Sequence, residues 1–159
     1  MIKKEFTKIT KEWLYSKGFI KSEDKAWSGI MYFYSMSDFD VIFVYDKNRF
    51  GERYNLEVGF QLKNIIKADG SMYYDTVGIE VPKKYWHHYE TADGAKHISK
   101  GAIYYEQWSK EDYLAHLEDI YKTHIKPYLE KGVKHLKAMV KQDKYSMIHP
   151  DAVKVINNM

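Results

Sequence analysis

The chain has no cysteine among its 159 residues. That excludes a disulfide framework, a thiolate zinc site, an iron–sulfur cluster and a cysteine nucleophile together. A reducing compartment is the simplest home for such a chain. Arginine is nearly as scarce, with only Arg49 and Arg53, so the side chain best suited to reading bases and gripping phosphates is almost missing. No apolar run approaches the roughly 20 residues that span a bilayer. Met1-Ile2-Lys3-Lys4-Glu5-Phe6 is too charged for a secretory leader. The expected location is the cytoplasm, with no membrane partner.

Spacings that encode common mechanisms are missing too. There is no Gly-x-x-x-x-Gly-Lys-Ser/Thr loop, no dinucleotide fingerprint, no His-Glu-x-x-His and no nucleophile elbow. These absences weigh against the common ATP, nicotinamide and α/β-hydrolase chemistries without excluding enzymes in general. No cofactor is implied.

What remains is a chain of ordinary single-domain length. At this size it buries roughly two thirds of its unfolded surface and needs no covalent staple. Its formal net charge is a mild +3, and 16% of it is aromatic, with 15 tyrosines. Tyrosine serves cores and contact surfaces equally well, because a large ring carries a hydrogen-bonding tip.

Ile2, Phe6, Ile9 and Trp13 recur as one helical stripe, and Gly18-Phe19 reads as a left-handed cap with its hydrophobic partner, so a first helix is expected over about 2–17. Ile30–Tyr34 and Val41–Tyr45 are short β-branched or aromatic runs, separated by the turn 35–38 and followed by a polar loop at 46–51. Tyr54, Leu56, Val58, Phe60 and Leu62 then alternate without a break with polar residues and Gly59. That is a half-buried strand of an antiparallel sheet with one solvated face. Val77, Ile79 and Val81 suggest a fourth strand, stopped by Pro82. Asp93-Gly94 suits the tip of a long hairpin, with the Tyr104 region as a fifth, edge strand. Ser109 followed by Glu111 and Asp112 opens a helix, Lys126-Pro127 should break or kink it, and 129–142 should resume it. His149-Pro150-Asp151 opens a last short helix. The expected fold is α+β: an antiparallel sheet of four to five strands, with the N-terminal helix and the C-terminal helices packed on one face, in a single domain over 1–159.

Five local signals bear on function. Ser22-Glu23-Asp24-Lys25 spells Ser-x-x-Lys, but a lysine that activates serine must be desolvated, and this stretch is charged. Asp38-Phe39-Asp40 places two carboxylates on one side of an extended segment, as a hard cation would require and as turns ordinarily do. His87, His88 and His97 offer three imidazoles to zinc, enough for a hydrolytic site with water as fourth ligand, yet neighbours on a strand point to opposite faces. Seven lysines lie between Lys122 and Lys144 (122, 126, 131, 134, 137, 141 and 144) against Glu130 and Asp143; they suit phosphates, and equally the solvated side of an amphipathic helix. Lastly, Trp86, His88, Tyr104, Tyr105 and Trp108 gather in an insert too long for an ordinary hairpin. Aromatics on a loop or edge strand are common interface anchors, and they also form satellite cores under long loops.

Several stretches resemble a bacterial family known as domain of unknown function 4304. They are Phe6, Ile9 and Leu14 leading to Lys17-Gly18-Phe19; the strand Val41-Ile42-Phe43-Val44; the run Tyr54-Asn55-Leu56-Glu57-Val58-Gly59-Phe60; and Ile125-Lys126-Pro127-Tyr128-Leu129-Glu130. The segment from about Ala68 to Trp108 has no counterpart in that pattern. The resemblance implies a small α+β fold, carries no established activity and supplies no catalytic residues. The leading expectation is a non-enzymatic binding module, accessory or immunity-like, that recognises another protein through the aromatic insert. The alternatives are a small hydrolase or metal-dependent enzyme using His87, His88 and His97, and nucleic-acid binding by the lysine face.

Overall fold

The computed structural model describes residues 1–24, 29–47, 52–145 and 147–159. Lys25 of the Ser-x-x-Lys spelling, and residues 48–51 of the expected polar loop, Arg49 included, lie outside the described residues.

Helix α1 spans Lys3–Ser16. It closes in a Schellman motif: the Phe19 amide donates to the Leu14 carbonyl at 3.0 Å, the Gly18 amide donates to Tyr15 at 3.0 Å, and Gly18 takes φ +86°. Its buried face is Phe6, Thr10, Trp13 and Leu14, rotated from the expected stripe, and Ile2 stays 62% exposed. Thr10 tolerates burial because its hydroxyl donates to the Phe6 carbonyl (2.8 Å) and meets the Tyr113 hydroxyl (2.7 Å).

The main sheet is antiparallel. Its strands are β1 (Ile20–Lys21), β2 (Ile30–Ser35), β3 (Phe39–Lys47), β4 (Tyr54–Ile66) and β5 (Met72–Gly78), in that spatial order. Strands β6 (His87–Glu90) and β7 (Lys96–Ser99) form a separate two-stranded ribbon, and β8 (Ala102–Ile103) returns to pair with Tyr54 and Asn55 of β4. Among the described residues the sheet therefore has six strands, where four or five were expected. All five apolar residues of the β4 alternation are buried on one side. They pack with Phe39, Val41, Phe43 and Tyr45 of β3 under the helices. Phe6 sits among four tyrosine rings, with centroids 4.7 Å (Tyr54), 4.9 Å (Tyr113), 5.9 Å (Tyr105) and 6.4 Å (Tyr45) away.

The opposite face is less wet than expected. Met31, Ile42 and Val44 are buried there, with Phe33 half-buried beside them. Gly59 lies opposite Ile42 and opposite Thr76 of β5, and there the strands come so close that a Cβ would stand 1.9 Å from the Asp75 carbonyl oxygen.

Helix α2 (Lys110–Ile120) starts at Ser109, whose hydroxyl accepts from the Asp112 amide at 3.1 Å. Pro127 does not break the rod. A π turn over Tyr121–Ile125 leads straight into α3 (Lys126–Lys131), with Pro127 in its first turn. Proline has no amide hydrogen, and its ring crowds the carbonyl four residues back, so a widened turn absorbs both problems. The real interruption is Gly132, at φ +53°. Helices α4 (Val133–Lys141) and α5 (Pro150–Asn157) complete the cover. No helix among the described residues is long and apolar enough to cross a membrane.

Candidate functional site

The insert between β5 and α2 is anchored by aromatic stacking. Strand β5 ends at Gly78; the Ile79 amide still donates to the Leu56 carbonyl of β4 at 2.9 Å, and beyond it the chain leaves the sheet, although Ile79 and Val81 stay buried. The Val81 amide donates to the Lys100 carbonyl at 2.7 Å, which ties the two legs of the insert together. A 3₁₀ turn over Lys83–Tyr85 lays the Tyr85 ring flat on Trp108, at 3.7 Å and 11°. The Tyr85 hydroxyl donates to Asp112, and the Lys84 ammonium reaches the same carboxylate at 2.7 Å. The bond from Lys84 holds the Asp112 pKa below, and the bond to Asp112 holds the Lys84 pKa above, their ordinary values. Trp86 donates its indole N–H to the Val81 carbonyl at 3.0 Å, with the amines of Lys100 and Lys83 4.7 and 5.9 Å from its ring.

From this root the ribbon rises. It turns over at Asp93-Gly94, as the sequence suggested, with Gly94 at φ +83°. Asp93 caps the turn by accepting from the Thr91 hydroxyl and the Ala95 amide. The register pairs His87 with Ser99, His88 with Ile98, Tyr89 with His97 and Glu90 with Lys96. Opposed residues share a face, so the ribbon has two different sides. One carries His87, Tyr89 and His97. Their rings form a column, 5.3 Å from His97 to Tyr89, 6.1 Å on to His87 and 4.4 Å down to Tyr104. Arg53 ends the column, donating to the Tyr104 hydroxyl at 2.7 Å. The other side carries His88, Glu90, Lys96 and Ile98, and a shallow hollow of about 380 Å³ runs along these strands.

The five expected contact residues divide by depth. His88 is exposed, and Trp86 and Tyr104 are half-buried. Tyr105 and Trp108 are core residues, 2% and 3% exposed, so neither presents a surface to a partner. Tyr105 packs on Phe6 and donates to Glu52; Trp108 packs between Tyr85, Tyr113 and His116. Two exposed apolar residues were missed: Tyr89 (44%) and Ile98 (48%). Ile98 is legible only once the turn is placed, because the turn sets it opposite His88.

The three imidazoles do not converge, since His88 faces away from His87 and His97. No group of three or more metal-liganding side chains occurs among the described residues. The Asp38/Asp40 pair is divided: the Lys63 ammonium lies 3.4 Å from Asp40 and also bonds Ser35 and the Met36 carbonyl, while the Asp38 carboxylate accepts from the Ser37 hydroxyl at 3.0 Å. Of the lysine face, Lys126 pairs with Glu130 at 3.4 Å and Lys137 reaches the Met159 carbonyl at 3.3 Å, while Lys134, Lys141 and Lys144 are solvated. Compared with known protein families, curated proteins and solved structures, the chain matches none.

Proposed function

We propose that this chain is a binding module that recognises another protein through the β6–β7 ribbon, in an accessory or immunity-like role. The observation that carries the reading is the pair of exposed apolar side chains, Tyr89 and Ile98, on a ribbon that pairs with no other strand among the described residues. A two-stranded ribbon with open edges is a surface that monomeric chains ordinarily protect and binding proteins use. The aromatic column stiffens it, so little side-chain freedom is lost on contact. The family resemblance supplies no activity that competes with this reading.

The test is a pull-down from the native host with the wild-type chain and with a Tyr89→Ala/Ile98→Ala variant. Neither side chain belongs to the core, so the variant should keep the wild-type unfolding temperature although the ribbon loses the middle ring of its column. Loss of a specifically retained protein is the expected result. Equal recovery by both chains, or no retained protein with either, overturns the reading.

A further inference from the structure

We propose that the partner segment is an acidic, extended polypeptide strand that adds to the outer edge of β7; this rests on the ribbon being the contact surface. Among the described residues strands β6 and β7 pair only with each other, which leaves a row of backbone amides and carbonyls along each outer edge. Such an edge is a template for another strand, and a ribbon of two strands gains stability from a third.

The two edges differ in charge. Between Lys83 and Lys100 the insert holds four lysines and three histidines against Glu90 and Asp93. Asp93 is engaged in the turn and Lys84 is held by Asp112. Lys83, Lys96 and Lys100 make no ion pair among the described residues. The β7 leg, Lys96-His97-Ile98-Ser99-Lys100, carries no acid, whereas β6 carries Glu90. Lys96 and Ile98 share the open face with His88 and Glu90, and just beyond the strand the Lys100 amine lies 4.7 Å from the Trp86 ring. The β7 leg thus reads cation, apolar, cation at the alternate positions Lys96, Ile98 and Lys100. Its complement is a strand that reads acid, apolar, acid, each cross-strand pair contributing roughly 0.2–1 kcal/mol. The same lysines repel a second copy of this ribbon, so the edge selects its partner by charge rather than pairing with itself.

A nucleic acid fits less well. The rings of Tyr89, His87 and Tyr104 already use their faces on one another, and base stacking needs free ring faces. An added strand meets both the amides and the carbonyls of an open edge, whereas a phosphate, an acceptor only, leaves the carbonyls unmet.

The probe is a short synthetic peptide, Glu-Thr-Val-Thr-Glu, whose two glutamates and valine share one face of an extended strand, titrated into ¹⁵N-labelled full-length chain. Three controls accompany it: its lysine–valine counterpart, the same glutamate peptide N-methylated at alternate residues, and single-stranded DNA of equal charge. Amide shifts and slowed exchange should be confined to 96–100 and their neighbours. N-methylation should abolish them, and Lys96→Glu/Lys100→Glu should weaken binding about tenfold or more. Unmoved β7 amides, equal binding of the N-methylated peptide, or tighter binding of the DNA each overturn the proposal. Should the β7 amides stay unmoved while the Tyr89→Ala/Ile98→Ala variant still loses its protein partner, the acidic-strand inference falls and the binding-module reading stands.

Discussion

His116 gives the sharpest test of how the core was assembled. It lies in α2, only 5% exposed, with its ring centroid 5.4 Å from that of Trp108. Its Nε2 is buried and has no hydrogen-bond partner among the described residues. Burial drives its pKa down to about 4; Asp119 opposes that fall and His124 adds to it. An unfolded histidine titrates near 6.5. Between those values the unfolded chain holds more protons than the folded one, so stability is lost as pH falls from about 6.5 to 4 and then levels off. The lowering amounts to about 3 kcal/mol of pH-dependent stability.

His116→Leu removes both the titration and the orphaned nitrogen while filling a similar volume. At pH 7 the variant should gain about 1–2 kcal/mol, because an unsatisfied buried polar atom costs about that much. Its loss of stability between pH 6.5 and 4 should be smaller than the wild type's by about 3 kcal/mol. A residual slope is expected from His124 and His135, whose pKa values burial also lowers. Urea unfolding of both chains at several pH values between 4 and 7 reads the difference directly. A variant less stable than wild type at pH 7, with an unchanged pH profile, would show that the imidazole is neither orphaned nor desolvated.

Two further predictions concern the same core. The Thr10 hydroxyl donates to Phe6, so the Tyr113 hydroxyl is the donor to Thr10; Thr10→Val then strands a buried phenol and should cost about 2 kcal/mol, Tyr113→Phe about 1, and the double variant clearly less than their sum. Additive losses in a double-mutant cycle by urea unfolding would contradict that direction of donation. Gly59→Ala drives a Cβ into the Asp75 backbone and should cost about 3 kcal/mol or more, with faster amide exchange in 57–61 and 74–78, whereas Gly78→Ala meets nothing within 4 Å and should cost less than about 1 kcal/mol. Equal urea midpoints for the two glycine variants would refute the close approach of β4 and β5.

Much of the frame was legible because its signals are local. The two-residue rhythm of Tyr54–Leu62, the Gly18 cap, the Ser109 cap and the Asp93-Gly94 tip each state a conformation in a few residues, and each is found where the sequence puts it. The errors arise where distant segments compete for one place. Val77, Ile79 and Val81 alternate like a strand, yet β5 ends at Gly78, because the edge of β4 beside Tyr54 and Asn55 is taken by Ala102 and Ile103. Nothing local says which segment takes that edge. Pro127 likewise carries a strong breaking signal that the π turn of the preceding residues neutralises.

The same competition divides the insert. In an irregular segment no period separates an inward aromatic from an outward one. Burial of Tyr105 and Trp108 is set by Phe6 of α1 and by Tyr113 and His116 of α2, partners that the local sequence does not reveal. The insert therefore has a root that belongs to the core (Tyr85, Ile103, Tyr105 and Trp108) and a crest open to solvent (His88, Tyr89, Lys96 and Ile98). Deleting the insert, or replacing Trp108, would damage folding and binding together and could not tell them apart. Only crest substitutions separate the two: they leave the Tyr85–Trp108 stack and the Asp112 bonds intact while changing the side chains that the open ribbon presents.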